Sequence, residues 1–370
     1  MQATQKTRIG VLVVISVVLL SWHATASAAE TILLWRHQAN FEETNANLAA
    51  IERFHQSQNQ WRVRVEQLPQ ASYTQAITAS ALAGRLPCIL EVDQPIAPNF
   101  AWSGHIRPLS PLVGSDLVDS VLPTARGLYR GKVYSLGQFD AAVAIYARRS
   151  LLEALNARTP TISEPWSVEE FTHLLKQAKS LPRITYPLDM ATGEGQSWWT
   201  YAFSPILQSY GGDLIDRSTM ISAEGILNGP RAIAFATWFQ TLFQQELVEA
   251  RPPDRKSFTL GRSAFALNGN WVLDEYRAAW GDDLLVLPPV DFGAGPVIGG
   301  GSWQWAITTG CKTPGAAAEL IRFLLSDAEV AAISDATGLI PVTEGGADLS
   351  QYYHRGVVCR MSSHSHRKSG

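Results

Sequence analysis

The feature that most constrains the fold is the order of three segments near the start of the chain. Residues 31–38, "TILLWRHQ", form an apolar run of strand length, and residues 61–68, "WRVRVEQL", alternate apolar and polar side chains. Between them, Leu48, Ile51 and Phe54 recur at helical spacing. A strand, a helix and a second strand in this order are typical of a parallel sheet covered by helices. The sequence therefore predicts an α/β fold.

Strand and helix patterns continue to alternate after this opening. A small-residue helix over 73–84 precedes "LPCILEVD", a strand that ends at Asp93. Residues 196–216 contain a predicted aromatic helix, which the glycine pair at 211 and 212 ends. Ligands of open α/β sheets bind beyond the carboxyl ends of the strands, so Asp93 is well placed to contact one. The alternative is that Asp93 only caps the turn after its strand.

The first 28 residues are typical of a secretory signal peptide. Lys6 and Arg8 precede an apolar run over 9–20, and small residues at 26–28 mark a cleavage site after Ala28. The alternative is a retained membrane anchor, but this apolar run is about a dozen residues long and a spanning helix needs ~20. No cysteine lies at the cleavage site to carry a lipid. We therefore expect an exported, periplasmic protein.

Size and charge narrow the class further. About 340 of the 370 residues remain after cleavage, more than one compact core usually holds, so two lobes are expected. A net charge of −3 and a charged fraction of 17% give no basic face, and we expect no nucleic-acid partner. Cys88, Cys311 and Cys359 suit an exported protein with one disulfide, whose pairing the sequence leaves open. Their spacing predicts no metal site, and we expect no cofactor.

The glycine-rich segment 299–305, "GGGSWQW", is the strongest local indication of a binding site. Glycine lets the backbone approach a ligand closely, and tryptophan supplies a flat apolar face of the kind that covers sugar rings. The overlapping segment 292–300, "FGAGPVIGG", differs from a dinucleotide-binding loop because Pro296 interrupts it and a strand follows it. The chain contains no phosphate-binding loop, zinc-protease motif or nucleophile elbow, so no enzyme motif is recognised.

Six segments in order resemble the extracellular solute-binding proteins of carbohydrate ABC importers, the family that includes maltose- and trehalose-binding proteins. The resemblance covers roughly residues 30–345 and is carried by residues 130–155, 164–179, 207–216, 261–271, 299–330 and 336–342. It implies a two-lobed periplasmic-binding-protein fold of class II, maltose-binding-protein-like, with a hinge between the lobes. The implied function is a monomeric, non-enzymatic receptor that captures a di- or oligosaccharide of maltose, trehalose or sucrose type and delivers it to membrane permease subunits.

The resemblance also implies lobe boundaries. The N-terminal lobe is expected to contain residues 29–138 and 283–327, and the C-terminal lobe residues 139–282 and 328–345. Residues 346–370 lack a helical period and the Arg-Pro segment usual in the family, so we expect a disordered tail and a C-terminal lobe that is truncated in its packing. The histidines and cysteine of this tail could suggest a metal site, but a solvated tail is the simpler interpretation.

Residue by residue, the resemblance implies a sugar site at matching positions. The implied ligand-binding residues are Asp93, Phe139, Asp140, Trp271, Gly300, Gly301, Trp303 and, at the start of the first helix, Glu43 or its neighbour Glu42. Trp198 and Trp199 join them because adjacent helical residues point to different faces, so one of the two should face a cleft or solvent. Carboxylates hydrogen-bond sugar hydroxyls, and aromatic rings cover the apolar faces of a sugar.

Each of these residues also has a purely structural interpretation. Trp271 and Trp303 could be core tryptophans, Asp140 could pair with a hinge amide or an arginine, and the glycines could only serve a turn. For the whole chain, two other functions stay open. One is a secreted carbohydrate-active hydrolase that uses Asp93 and Asp140, and the other is a truncated, non-transporting or chemosensory receptor.

Overall fold

The computed structural model describes residues 29–194 and 197–353, so the predicted signal peptide and residues 354–370 of the predicted tail lie outside the described residues. The strands are β1 Glu30–His37, β2 Trp61–Leu68, β3 Ile89–Asp93, β4 Arg126–Tyr129, β5 Lys132–Gly137, β6 Phe139–Arg148, β7 Leu188–Asp189, β8 Phe265–Gly269, β9 Leu284–Leu287, β10 Gly300–Gly301, β11 Trp303–Ile307 and β12 Ile340–Pro341. The α-helices are α1 Phe41–Ser57, α2 Gln70–Leu82, α3 Ala97–Trp102, α4 Ser110–Val113, α5 Ser115–Ser120, α6 Arg149–Ala154, α7 Val168–Lys179, α8 Ser204–Ser209, α9 Pro230–Gln244, α10 Leu273–Trp280, α11 Pro314–Leu324, α12 Asp327–Thr337 and α13 Glu344–Leu349.

The predicted opening of the chain is confirmed. Strands β1 and β2 pair in parallel over their whole length, and α1 connects them. Helix α1 begins where the side chain of Asn40 accepts a hydrogen bond from the backbone N–H of Glu43, which satisfies a free donor of the first turn. Ile51 and Phe54 lie on its buried face. The helical spacing in the sequence therefore marks the face that covers the sheet.

The first lobe is built on a six-stranded sheet in the order β2-β1-β3-β11-β5-β4. Strand β11 comes from late in the chain and lies antiparallel between β3 and β5. Helices α1 and α11 pack on one face of the sheet, while α2 and α3 pack on the other. Helix α11 begins at Pro314, a residue suited to the first helical position, and Ala317, Leu320 and Ile321 are fully buried. Both faces of this sheet are therefore covered.

The second lobe is built on the ten-residue strand β6. Strands β10, β6, β8 and β7 form its sheet, and β9 and β12 also pair with β6. The core beside this sheet is rich in aromatic side chains, among them Trp166, Phe171 and Phe265. A π-helical turn over Trp199–Phe203 precedes α8, and the helix ends just before Gly211, whose φ is +79°. The predicted end of the aromatic helix is confirmed, whereas the π-helical turn was not predicted.

The chain crosses between the two sheets close to one point. Gln138 links β5 to β6, and Ser302 links β10 to β11. Strand β12 pairs with the first two residues of β6, directly after this crossing. Two of the connections that join the lobes are thus single residues, short enough to act as a hinge.

Two of the expected lobe boundaries differ from the observed packing. Residues 284–287 were placed in the first lobe, but β9 pairs with β6 of the second sheet. Helix α12 was placed in the second lobe, but it packs on α1, where Arg53 forms a two-pronged ion pair with Glu329 at 2.7 and 2.6 Å. Strand β6 is far from β9 in the sequence, and α1 is far from α12, so no local sequence pattern predicts either packing.

The start of the expected disordered tail also differs. Helix α13 continues to Leu349, and Ser350 is buried with its hydroxyl hydrogen-bonded to Asp335 at 2.5 Å. The Tyr353 hydroxyl donates to the carbonyl of Gly338 at 2.6 Å. Residues 346–353 are therefore part of the packed structure. The absence of a helical period did not predict this, because hydrogen bonds to distant groups hold the segment.

The disulfide that the sequence left open is formed between Cys88 and Cys311, which are separated by 223 residues in the chain. It joins the segment before β3 to the turn after β11, two strands that are already hydrogen-bonded neighbours. None of the helices within residues 29–194 and 197–353 combines the length and apolar character needed to cross a bilayer.

Candidate ligand-binding cleft

The predicted site residues converge where the chain crosses between the lobes. Asp93 ends β3 and Trp303 begins β11, and the two residues lie directly opposite each other in the antiparallel register. Phe139 and Asp140 begin β6 one residue beyond the first sheet. Gly301 pairs with Ala141 on the same strand. The crossing therefore brings together two carboxylates, an indole and a glycine pair from four separate segments.

Asp93 supplies a buried carboxyl group on the first-lobe side of the crossing. It is 2% exposed, and burial raises the pKa of its carboxyl while hydrogen bonds from Ser197 and Tyr201 oppose that rise. The Tyr201 hydroxyl, which belongs to the second lobe, donates to Asp93 Oδ1 at 2.5 Å. The structure thus shows a direct polar contact between the lobes, made by one of the predicted ligand-binding residues.

Asp140 is also buried and held by its surroundings. Its Oδ1 accepts a hydrogen bond from the N–H of Ala141 at 2.9 Å, and it is further hydrogen-bonded to Thr124 and to the backbone of Gly301. Burial raises the pKa of Asp140 against these hydrogen bonds. Phe139 beside it packs with Ile333 and Leu339. The carboxyl of Asp140 is therefore pre-oriented at the crossing by a backbone amide, one of the two structural interpretations considered for it.

The glycines make room for the protein's own side chains. A Cβ on Gly301, whose φ is +153°, would lie 2.6 Å from the Tyr201 ring and 2.9 Å from Gln94 Oε1. A Cβ on Gly300 would lie 3.0 Å from the carbonyl oxygen of Ala141. In this conformation the close approach at Gly301 is thus made by Tyr201 of the second lobe. The glycine pair permits the lobes to meet.

Trp303 is held by aromatic rings of the first lobe. The His37 imidazole stacks on its indole with ring centroids 3.9 Å apart and planes at 15°. Tyr73 meets the indole edge-on at 5.5 Å and 81°. Trp303 is half-buried, so part of its ring surface stays accessible. The rotamer of Trp303 is therefore fixed before any ligand arrives.

Glu43 lies in a buried group of four ionisable side chains, which we call the ionic cluster: Arg36, His37, Glu43 and Glu91. Arg36 Nη2 donates to Glu43 at 2.8 Å, and His37 Nδ1 lies 2.7 Å from Glu91. Burial raises the pKa of Glu43 despite the nearby cations. Burial also opposes ionisation of Glu91, but His37 and Arg36 outweigh it and hold the pKa of Glu91 below its usual value. Glu43 is therefore a structural partner of Arg36, and its neighbour Glu42 is exposed.

Among the described residues, His37, Glu43 and Glu91 are also the one set of three side chains close enough to share a metal ion. The Arg36 guanidinium already supplies the positive charge there, bonding to Glu43 and lying 3.6 Å from Glu91. A cation among them would have to displace Arg36. The cluster fits an internally neutralised ion-pair network better than a metal site.

The three tryptophans of the second lobe that were predicted to bind the ligand occupy different environments. Trp198 is 5% exposed, donates its indole N–H to the Met190 carbonyl at 2.9 Å and packs edge-on against Trp271 at 5.9 Å. Trp271 is half-buried, and a Cβ on Gly269 would lie 2.0 Å from its ring. Trp199 is 52% exposed and contacts Phe203 and Phe239. The structure thus makes Trp198 a core residue that supports Trp271, and it gives Trp199 no ring contact with the residues at the crossing.

Sequence reasoning missed Tyr201 and three members of the ionic cluster. Tyr201 lies within the predicted aromatic helix, and the π-helical turn that directs its side chain is not visible in the sequence. A signal for Glu91 was present, because it is a carboxylate in an otherwise apolar strand and shares a face with Asp93 at a spacing of two. Arg36 and His37 similarly follow a buried apolar run, at the carboxyl end of β1.

Taken together, the fold and this crossing define a class of protein. Two α/β lobes of maltose-binding-protein type, joined by short connections, meet at a crossing that brings together buried carboxylates and indoles. A family model described as bacterial extracellular solute-binding protein matches residues 49–355, and the chain belongs to that family. The predicted resemblance and fold class are confirmed. No match was found among the curated proteins.

Several solved structures share this fold. The GacH receptor of Streptomyces glaucescens GLA.O, solved unliganded and with acarbose, is 19% identical with a TM-score of 0.74, over 87% of this chain and 82% of that one. The maltodextrin-binding domain MalE of Bdellovibrio bacteriovorus, bound to maltotriose, is 18% identical with a TM-score of 0.71, over 86% and 82%. Maltose-bound MalE3 of T. maritima is 19% identical with a TM-score of 0.72, over 85% and 82%. At these identities the likeness shows the fold alone.

Proposed function

We propose that this chain is the periplasmic substrate-binding component of a carbohydrate ABC importer. It captures a di- or oligosaccharide between its lobes and delivers it to the membrane permease. The observation that carries this proposal is the pairing of Asp93 with Trp303 across β3 and β11, beside strand β5, which one residue connects to the strand that presents Asp140. Structures with the same fold are described with acarbose, maltotriose and maltose bound, which supports a sugar of this size.

The chemistry of the crossing suits a sugar. Hydroxyl groups of a sugar donate to carboxylates, and an ionised Asp93 or Asp140 accepts such bonds more strongly than a neutral oxygen does. The half-buried indoles of Trp303 and Trp271 provide apolar surfaces for the faces of sugar rings. Specific recognition would combine these hydrogen bonds with the apolar contacts. The carboxylates would select hydroxyl positions, and the indoles would bury the apolar surface of the sugar rings.

Lobe closure would couple binding to transport. Tyr201 reaches Asp93 across the lobes in the structure, and this contact represents a closed arrangement. A sugar that contacts both lobes binds the closed arrangement better and shifts the population toward it. The permease subunits would then recognise the closed, monomeric receptor. We expect no hydrolysis of the bound sugar, and release of reducing sugar from maltotriose would contradict this.

The test is thermal unfolding of residues 29–370 with maltose, maltotriose, trehalose, sucrose and glucose. A ligand that binds only the native state raises the melting temperature by mass action, by an amount equivalent to about 2.7 kcal/mol at a hundredfold excess over Kd. We expect a rise with one sugar class, abolished in Asp140→Asn and Trp303→Ala.

Trp102→Ala is the matched control, because Trp102 is 72% exposed at the last residue of α3 in the same lobe. It should keep the full response to sugar. A sharp transition that no sugar shifts would overturn the transport proposal and favour a non-transporting receptor.

A further inference from the structure

We propose that His37 is a positioning residue of the sugar site, which holds the Trp303 indole in its binding orientation and makes sugar affinity depend on pH. This inference rests on the proposed function, since it assigns a role to a residue behind the indole that would contact the sugar. His37 itself is 2% exposed and would not touch the ligand. It would act through Trp303 alone.

The first step of the argument is the geometry of the stack. An imidazole with its centroid 3.9 Å from the indole centroid and its plane 15° from parallel stacks on one face of Trp303. The edge of the indole is closed by Tyr73 at 5.5 Å. With one face and one edge occupied, the indole cannot rotate toward the sheet. The rotational entropy that a free tryptophan would lose on binding a sugar is already removed.

The second step is that His37 is itself fixed from several sides. Its Nδ1 lies 2.7 Å from Glu91 Oε2, which also accepts the backbone N–H of His37 at 3.0 Å. Its Nε2 lies 3.8 Å from Glu43 Oε1 on α1. The Tyr73 ring on α2 meets the imidazole edge-on at 6.3 Å, and the Tyr73 hydroxyl donates to the Glu91 carbonyl at 2.6 Å. These contacts hold the imidazole in one orientation, and the stacked indole of Trp303 is held parallel to it.

The third step concerns charge. The charged groups that face His37 are Glu91 and Asp93 on β3, Glu43 on α1 and Arg36 on its own strand. Burial lowers the pKa of His37, but the two glutamates outweigh burial and Arg36, and the pKa of the imidazole is raised above its usual value. A protonated imidazole attracts the face of an indole through a cation–π interaction, which a neutral imidazole lacks.

The sign of the pH dependence follows. Below the raised pKa of His37 the imidazolium is present and the stack is strongest. As pH rises through that pKa the charge is lost, and the hold on Trp303 weakens. Sugar affinity should therefore be highest on the acidic side and decline as pH rises above about 6.5, the ordinary histidine value. If His37 served only as the hydrogen-bond partner of Glu91, sugar affinity would not depend on pH in this way.

Two variants of His37 distinguish the effect of its stacked ring from the effect of its charge. His37→Asn keeps an N–H for Glu91 but removes the ring, and His37→Phe keeps a ring against Trp303 but cannot titrate. His105→Gln is the matched control, because His105 lies in the same lobe, meets Phe100 edge-on at 5.9 Å and is hydrogen-bonded to Thr309 at the opposite end of β11 from Trp303. All are compared with the parent protein in calorimetric titrations from pH 5.5 to 8.5, with maltotriose and with the sugar that most raises the melting temperature.

We expect His37→Asn to weaken sugar binding about tenfold at pH 6, as loss of a partly desolvated cation–π contact would. His37→Phe should bind with an affinity that does not vary over this pH range, and His105→Gln should match the parent. Unchanged affinity and pH profile in His37→Asn would overturn the inference. So would a pH profile that persists in His37→Phe.

A readout without sugar distinguishes this failure from failure of the proposed function. The fluorescence difference between the parent and Trp303→Phe should titrate with pH, because a protonated imidazole quenches a stacked indole, and it should be flat in the His37→Phe background. If no sugar binds the parent, the proposed function fails even though this titration is seen. If sugar binds but the titration is absent, the role of His37 fails alone.

Discussion

The two lobes bury different kinds of side chain. At the cleft edge of the first lobe lies the ionic cluster, with Asp93 beside it on β3. The second lobe buries aromatic rings instead, with Trp166 stacked on Phe171 and Trp198 packed against Trp271. Polar groups in a protein interior must be oriented to be satisfied, whereas aromatic packing tolerates many directions. The first lobe is therefore held near the crossing by oriented polar contacts, and the second lobe by aromatic packing.

The contrast extends to what holds each lobe together. The first lobe has a disulfide between the ends of two paired strands, in addition to its charged network. The second lobe has no cysteine among its described residues and relies on its core. Three substitutions probe this difference, one in each lobe and one at the contact between them.

The largest effect is expected in the aromatic core of the second lobe. Trp198→Ala removes a buried indole and the support of Trp271, so we expect a loss of about 3–5 kcal/mol in the free energy of unfolding. Denaturant unfolding followed by circular dichroism would measure it. Trp199→Ala is the control, because that ring is 52% exposed, and about 1 kcal/mol or less is expected. Equal losses for the two variants would show that the second lobe does not depend on this core.

A somewhat smaller effect is expected from opening the disulfide of the first lobe. Replacing Cys88 and Cys311 by alanine frees a loop of 223 residues in the unfolded chain, which should cost about 2–5 kcal/mol. The parent protein under reducing conditions should show the same loss in guanidinium unfolding. A double variant as stable as the oxidised parent would mean that the charged network and the sheet suffice without the covalent link.

The smallest effect is expected at the contact between the lobes. Tyr201→Phe removes the hydrogen bond to buried Asp93 and should cost about 1.5–3 kcal/mol, the range for a hydrogen bond to a charged group. The loss should shrink at low pH, since protonation of Asp93, whose pKa burial raises, removes that charge.

Tyr210→Phe is the control for Tyr201→Phe. The Tyr210 ring packs on Phe292 in the same lobe, and its hydroxyl makes no hydrogen bond within residues 29–194 and 197–353. Urea unfolding at pH 7 and pH 4 would compare the two variants. Identical curves for Tyr201→Phe and the parent would imply that the lobes are held closed by other contacts.

Local patterns in the sequence predicted what depends on local physics. The apolar spacing of α1 and the glycine pair that ends the aromatic helix both match the structure. These signals act within a few residues of the chain. The family resemblance added the pair Asp93 and Trp303, which the register of β3 and β11 does bring face to face.

What the sequence did not predict depends on partners far away along the chain. Glu91 is 54 residues from His37, and Arg53 is 276 residues from Glu329. The lobe assignments of β9 and α12 were wrong for the same reason, because each is decided by a pairing or packing partner rather than by its own composition. The direction of Tyr201 was missed because one π-helical turn changes the register of the side chains after it.

The position of β11 has a consequence for how the chain is made. This strand lies between β3 and β5 in the middle of the first sheet, yet it is synthesised after the whole of β6 to β10. During export, the half of the first lobe that emerges earliest must wait with two open strand edges until residue 307 has appeared. Strands β6 to β10 of the second lobe can pair in the meantime, and of the described strands only β12 joins that sheet later. The sheet that begins the protein thus keeps two open edges until most of the second sheet has been made, and a holding factor that shields bare strand edges would matter most for that half.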